Sequence, residues 1–191
     1  MIFKTLTFGE QYPDASLTLF VHEEDSAPRP AVVVCPGGGY RFNSVREAEP
    51  IAEYYYNAGM NAYLLRYSVE PYAKDYTPIK EVALAVKYIR ENAAEHNTAP
   101  DKIVTCGFSA GGHLAASAGI LWNAQPVRDA VGVTDGSAPE GINRPNGMIL
   151  SYPVITVSGQ AHRGSINNLM GRTDYTFEEA AEFSLDRKSV V

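Results

Sequence analysis

The feature that most constrains the fold is a five-residue turn, Gly107-Phe108-Ser109-Ala110-Gly111. The preceding residues 103–106 are predicted to form a short buried strand, and residues 110–121, rich in Ala and Gly, a helix that can pack closely against a sheet. A strand that turns directly into a helix leaves space only for glycine on either side of the central residue. The pattern therefore predicts that Ser109 lies on a strained turn above the end of a strand.

This position suits a nucleophile. The amino end of the following helix offers N–H groups and a partial positive charge to an oxyanion that develops beside Ser109. A Gly-x-Ser-x-Gly motif between a strand and a helix is the arrangement of a catalytic serine, whereas a glycine-rich turn of no catalytic role needs no such context. We predict that Ser109 is the catalytic nucleophile.

A second glycine cluster, Pro36-Gly37-Gly38-Gly39-Tyr40, directly follows the continuous apolar run of residues 31–35. Glycine-rich loops at strand ends can also bind phosphate, but neither Gly-x-x-x-x-Gly-Lys-Ser/Thr nor Gly-x-Gly-x-x-Gly occurs here. Acyl transfer needs N–H donors close to a developing negative charge, which glycine permits. We predict an oxyanion hole formed by the N–H groups of Gly38, Gly39 and Ala110.

Buried strands alternate with helices along the chain, which predicts an α/β fold with a mostly parallel sheet and helices on both faces. The predicted core strands are residues 31–35, 61–65, 103–106 and 148–150, and the helices are residues 50–58, 77–97, 110–121 and, more weakly, 177–183. Residues 3–7 and 16–21 alternate apolar and polar side chains, which indicates an antiparallel pair. Residues 123–145 are predicted to be irregular.

Composition excludes several classes of protein. The 191 residues carry a net charge of −6 and no Lys/Arg cluster, which disfavours nucleic-acid binding. No apolar run is long enough for a membrane span or a signal peptide, so we expect a cytoplasmic protein. Cys35 and Cys106 are predicted to be buried free thiols. No residues have metal-ligand spacing, so neither a metal nor another cofactor is expected, and the oligomeric state is left open.

These motifs resemble the α/β-hydrolase superfamily, in its acetyl-esterase, acetyl-xylan-esterase and lipase-like branch. The matching segments are residues 32–40, 63–68, 82–90, 101–103, 107–115 and 151–154, which together cover most of residues 30–155. Pro36 stands where lipases and esterases often carry His, and relatives of the xylan-esterase type commonly have Pro there. The resemblance implies Ser-Asp-His chemistry on a small-molecule or carbohydrate-linked acyl ester.

A serine nucleophile needs a base, and only two histidines follow Ser109. His113 lies one helical turn beyond the serine and is predicted to be buried and structural. His162 follows the strand at 148–150, and Asp135 precedes it, so Ser109, Asp135 and His162 have the chain order of an α/β-hydrolase triad. His162 nevertheless comes two strands earlier than the usual base. A catalytic, a substrate-loop and a structural role all remain open for it.

The resemblance implies two further strand–helix units that would carry the acid and the base. We therefore expect residues 1–185 to form an incomplete α/β-hydrolase domain that lacks the last two strand–helix units and is inactive alone. Residues 186–191 are expected to be a non-native tail, because one back-translation of them matches a sequencing adapter. A serine peptidase on the same fold and a non-catalytic binding protein are the alternative functions.

Overall fold

The computed structural model describes residues 1–23, 27–159 and 161–188. Within these residues, six strands form one sheet: β1 (Ile2–Thr7), β2 (Ser16–Val21), β3 (Arg29–Cys35), β4 (Asn61–Arg66), β5 (Thr98–Phe108) and β6 (Gly147–Ser151). The helices are α1 (Glu49–Asn57), α2 (Thr77–Glu91), α3 (Ala110–Ile120), α4 (Gln125–Ala130), α5 (Arg163–Met170) and α6 (Phe177–Ala181). Short 3-10 helices occupy Val45–Glu47 and Leu185–Arg187.

The strands follow the order β1-β2-β4-β3-β5-β6 across the sheet. Strands β1 and β2 are antiparallel, as predicted, and β2 is antiparallel to β4. Strands β4, β3, β5 and β6 are parallel to one another. Their carboxyl ends therefore meet at one edge of the sheet, where ligands bind in open α/β folds. The predicted α/β architecture is confirmed.

Strand β3 illustrates how the core is divided between the two sheet faces. Ala31, Val33 and Cys35 pack on one face with residues of α2 and α3. Val32 and Val34 pack on the other face with Ala52 of α1. A strand covered on both faces must be apolar at every position, which is why residues 31–35 form a continuous apolar run. Helices therefore cover both faces, as the sequence predicts.

The two cysteines are free thiols and buried, as predicted. Val34 lies opposite Cys106, and Cys35 lies opposite Gly107. This offset of one residue places the two side chains on opposite faces of the sheet, because side chains alternate along a strand. Burial raises the pKa of the Cys35 thiol well above its ordinary value.

Two predictions about local structure were wrong. Helix α2 ends at Glu91 rather than near residue 97, and His96 beyond it is buried, with its ring Nδ1 3.1 Å from the Tyr63 hydroxyl. The stretch predicted as irregular contains α4. Helix α5 was not predicted at all. Short helices that depend on packing carry little local signal.

Strand β6 has only β5 beside it within the described part of the chain. Its apolar side chains Ile149 and Leu150 are 40% and 38% exposed, respectively. Of the predicted tail, residues 189–191 lie outside the described residues, while Asp186 Oδ1 accepts a hydrogen bond of 2.7 Å from Ser184. None of the described helices combines the length and apolarity that a bilayer crossing requires.

Candidate active site

Ser109 occupies a strained turn between β5 and α3, with φ 51° and ψ −116°. Glycine is required on both sides of this turn, at positions 107 and 111, for steric reasons. A Cβ atom on Gly107 would lie 2.0 Å from the Gly111 oxygen, and one on Gly111 would lie 2.1 Å from the Cys35 oxygen. The tight turn predicted from the motif is therefore present.

The backbone around Ser109 is held by three hydrogen bonds. Ser109 N donates to the oxygen of Ser151 at the end of β6, at 3.0 Å, and the Ser109 oxygen accepts from the amides of His113 and Val154, each at 3.1 Å. The side chain is half-buried. Its hydroxyl forms no hydrogen bond with any part of the chain that the structure describes. Ser109 is thus fixed through its backbone while its Oγ stays available.

The glycine loop after β3 lies directly against the serine. A Cβ atom on Gly37 would meet the Ser109 Cβ at 3.3 Å. Gly38 and Gly39 have φ values of 133° and 67°, which favour glycine, and a Cβ atom on Gly38 would lie 1.9 Å from the Phe42 oxygen. Glycine is required here by both backbone conformation and space.

The N–H groups of Gly38, Gly39 and Ala110 have no acceptor among the described residues. That of Gly37 differs, because it donates to Glu47 Oε2 at 2.8 Å. Ala110 is the first residue of α3, where N–H groups have no partner within the helix. The structure therefore brings the three predicted oxyanion donors to the same edge of the sheet as Ser109 and leaves them free.

Glu47 is a further residue of this site. The hydroxyl of Tyr152, just beyond β6, donates a hydrogen bond to Glu47 Oε1. This bond to a carboxylate raises the pKa of Tyr152 above its ordinary value. The only sequence signal for Glu47 is its place in an acidic segment before α1, which helix-dipole interactions explain equally well.

His113 is buried between the glycine loop and the C-terminal segment. Its Nδ1 lies 2.8 Å from the Tyr40 hydroxyl, and its Nε2 lies 2.8 Å from the Phe183 carbonyl oxygen. A carbonyl only accepts, so Nε2 carries the proton and Nδ1 accepts from Tyr40. Burial lowers the pKa of His113 to about 4, although the Phe183 hydrogen bond opposes this. Both nitrogens are occupied, in agreement with the predicted structural role.

His162 lies at the amino end of α5, and its side chain is exposed. Its Nδ1 accepts from Ser165 N at 3.2 Å and lies 2.9 Å from Ser165 Oγ. The imidazole therefore caps the helix, and a neutral ring that accepts at Nδ1 carries its proton on Nε2. Of the three roles left open by the sequence, this geometry favours the structural one.

Helix α5 nevertheless contacts the glycine loop. Asn168 Nδ2 donates to the Gly39 oxygen at 2.8 Å, and a Cβ atom on Gly39 would lie 3.5 Å from Ser165 Oγ. Helix α5, which the sequence did not predict, thus supports the loop that carries the free N–H groups of Gly38 and Gly39.

Asp135 lies on the exposed connection between α4 and β6. Its Oδ1 accepts from Ser137 N at 2.9 Å, and hydrogen bonding to Ser137 lowers the pKa of this carboxyl. Helix α3, with 11 residues about 16 Å long, carries the chain away from Ser109 before this connection begins. No hydrogen bond or ion pair joins Asp135, Ser109 and His162, all of which are described. The structure does not bring this predicted triad together.

No group of three or more His, Cys, Asp or Glu side chains within the described residues has the arrangement of a metal site. The chemistry available at this edge is that of a serine hydroxyl beside several free N–H groups.

Comparison with known proteins places this site in context. A family model with the description BD-FAE matches residues 17–157. Endo-1,4-beta-xylanase B of Butyrivibrio fibrisolvens is 35% identical over 178 residues, which are 91% of this chain and 26% of that protein. The acetylxylan esterase of Xylanibacter ruminicola is 28% identical over 163 residues, which are 84% of this chain and 30% of that protein.

A solved structure shows the same relationship. The acetyl ester-xyloside bifunctional hydrolase from Caldicellulosiruptor lactoaceticus is 28% identical and superposes with a TM-score of 0.79. The match covers 92% of this chain and 61% of that chain. This chain therefore spans between about a quarter and three fifths of the length of these three proteins.

Proposed function

Because the chain belongs to the BD-FAE family, we propose that it is the nucleophile-bearing part of a serine carboxylic-ester hydrolase. The substrate class proposed is a short-chain or carbohydrate-linked acyl ester. Among the similar proteins, one is named an acetylxylan esterase and another an acetyl ester-xyloside bifunctional hydrolase, which supports this class. The Gly-rich turn that exposes the Ser109 hydroxyl carries the proposal.

In the proposed reaction, Ser109 Oγ attacks the ester carbonyl carbon. The N–H groups of Gly38, Gly39 and Ala110 donate to the tetrahedral oxyanion. The C–O bond to the alcohol then breaks, and the alcohol leaves with the proton that a base took from Ser109. Water attacks the acyl-serine in the same way, releases the carboxylic acid and restores the hydroxyl.

We propose that the base and the acid come from a part of the complete protein outside residues 1–191. His113 has both ring nitrogens engaged, and His162 caps α5, which argues against either as the base. The exposed apolar side chains of β6 support further strands beside it. The greater length of the related proteins gives independent support. By itself this chain is then expected to be inactive.

The test is labelling with a fluorophosphonate probe, which reacts with activated serines. In the complete protein we expect wild type to be labelled and to hydrolyse p-nitrophenyl acetate. Ser109→Ala should abolish labelling and lower kcat by about 10⁴-fold or more. Ser137→Ala, an exposed serine outside the site, is the matched control.

The alternative functions give different results. A folded complete protein that never reacts with the probe would favour a non-catalytic binding protein. Labelling of Ser109 together with cleavage of peptide anilides, and none of acetyl esters, would favour a peptidase.

A further inference from the structure

We propose that Glu47 is a positioning residue for the ester hydrolysis proposed above. Its carboxylate holds the Gly37 peptide group beside Ser109 and ties it to Tyr152 beyond β6. The inference rests on the proposed function, because positioning has meaning only for a serine that reacts.

Distances place the carboxylate close to the nucleophile. The Cβ position of Gly37 is 2.7 Å from Glu47 Oε2 and 3.3 Å from Ser109 Cβ, so these two atoms are at most about 6 Å apart. A charge within this range affects a neighbouring reactive group. A side chain on Gly37 would occupy the space between these two groups, so glycine there lets the carboxylate approach the serine.

The Gly37 peptide groups are fixed on both sides. Glu47 accepts from the Gly37 N–H at 2.8 Å, and the Gly37 oxygen accepts from Ser44 N at 2.9 Å. The chain continues directly into Gly38 and Gly39, whose N–H groups are the proposed oxyanion donors. Such donors lower a barrier only if they are oriented before the reaction. Holding Gly37 therefore restricts the directions in which the next two N–H groups can point.

The second carboxylate oxygen extends this support across the site. Glu47 Oε1 accepts from the Tyr152 hydroxyl, and the Tyr152 ring lies 6.2 Å, between centroids, from that of Phe108. Phe108 immediately precedes the serine. Glu47 thus links the loop after β3 to the segment after β6, and Tyr152 in turn contacts Phe108 at the end of β5.

Glu47 favours the proposed reaction through the geometry of its hydrogen bonds rather than through its charge. A negative charge near Ser109 opposes the oxyanion that forms there, so charge alone would slow this step. A glutamine at this position keeps an acceptor for the Gly37 N–H, and its amide can donate to the Tyr152 oxygen. An aspartate keeps the charge but is one methylene shorter, so it cannot reach both partners without displacing the loop.

The experiment compares Glu47→Gln and Glu47→Asp in the complete protein, with p-nitrophenyl acetate as substrate. Fluorophosphonate titration gives the concentration of reactive serine. We expect Glu47→Gln to keep kcat within about threefold, and Glu47→Asp to lower kcat by about 10- to 100-fold with KM little changed, as misplacement of catalytic groups does. Glu53→Gln and Glu53→Asp, at an exposed position of α1, are controls expected to match wild type.

Three outcomes would overturn the inference: equal losses in both Glu47 variants, a loss confined to Glu47→Gln, or wild-type kcat in both. If Glu47→Asp does not fold, Tyr152→Phe replaces it. We then expect kcat to fall by threefold or more with KM little changed, and an unchanged kcat would overturn the inference. Failure of the proposed function is seen separately, as a wild-type protein that neither reacts with the probe nor hydrolyses the ester.

Discussion

Ser109 has a backbone conformation that favours glycine, yet it carries a side chain. Its φ of 51° and ψ of −116° are close to those of the first central residue of a type II′ turn. A non-glycine residue held in such a region costs about 1–3 kcal/mol. Three backbone hydrogen bonds and the packing of Gly107 and Gly111 hold this conformation. The strain is consistent with a position kept for the chemistry of its hydroxyl.

Replacing Ser109 with glycine should therefore stabilise the protein. We expect Ser109→Gly to raise the free energy of unfolding by about 1 kcal/mol, since relief of strain exceeds the entropic cost of glycine. Ser109→Ala should leave it almost unchanged, because alanine suffers the same strain. The measurement is urea-induced unfolding.

Ser44 provides the control, because its φ of −65° suits any residue. Ser44→Gly should lower the free energy of unfolding by about 0.5–1 kcal/mol. A Ser109→Gly variant no more stable than Ser109→Ala would show that the turn is not strained.

At the scale of elements, hydrogen bonds from several neighbouring segments hold the sheet edge at which Ser109 lies. Helix α5 contributes Asn168, which donates to the Gly39 oxygen at 2.8 Å. The loop after β4 contributes Glu70 N, which donates to the Tyr40 oxygen at 2.8 Å. The end of β6 binds the amide of Ser109. The glycines of the loop after β3 and of the turn at Ser109 permit their conformations, and hydrogen bonds from neighbouring elements hold them.

Strand β6 presents an apolar edge that favours association between copies of this chain. An unpaired strand edge offers N–H and C=O groups for pairing with another chain, and a lysine at the edge discourages it. We expect Ile149→Lys, at a side chain that is 40% exposed, to increase the soluble, monomeric fraction of this chain. Size-exclusion chromatography at matched concentrations measures this fraction.

Val45→Lys is the matched control, because Val45 is 74% exposed and lies in a 3-10 helix instead of at the sheet edge. It adds the same charge and should change the monomeric fraction much less. Equal effects of the two lysines would mean that net charge, and not the β6 edge, controls association.

At the scale of the whole molecule, a buried carboxyl of α2 binds the segment that follows β4. Glu81 of α2 is fully buried, and its Oε2 accepts from Ser68 N at 2.8 Å. The Ser68 hydroxyl donates to its other oxygen. Burial raises the pKa of Glu81 to about 7, and Asp14 contributes in the same direction, while the hydrogen bonds from Ser68 oppose it.

This pKa makes the stability of the protein depend on pH. Because the pKa in the folded state is about 7 and the ordinary value of a Glu carboxyl is 4.5, the folded state binds more protons between these values, and stability falls as pH rises through them. We expect the difference in unfolding free energy between wild type and Glu81→Gln to fall by up to about 3 kcal/mol from pH 5 to pH 8. Urea unfolding at both pH values measures it.

Comparing the unfolding free energies of wild type and Glu81→Gln isolates the contribution of the Glu81 carboxyl. His113 acts in the opposite direction, since its lowered pKa of about 4 makes stability rise with pH between about 4 and 6.5, but both proteins share that contribution. A difference that stays constant between pH 5 and pH 8 would show that Glu81 does not titrate in this range.

Local patterns in the sequence determined the sheet and the tight turn at Ser109. Continuous apolar runs predicted the four parallel core strands, and the glycines around Ser109 predicted the tight turn, because steric requirements at neighbouring residues are encoded next to each other. The glycine loop was predictable for the same reason. What these patterns could not determine was which distant side chains would support that loop.

Tertiary structure alone decided those partners. Glu47 and Tyr152 are separated by 105 positions, and Asn168 and Gly39 by 129, so no local pattern relates them. Ser109, Asp135 and His162 have the chain order of a triad. In the folded protein, however, His162 caps the amino end of α5 and Asp135 lies on an exposed connection. The sequence determines which chemical groups the chain carries and in what order. The packing of strands and helices determines the distances between them, on which hydrogen bonds and proton transfer depend.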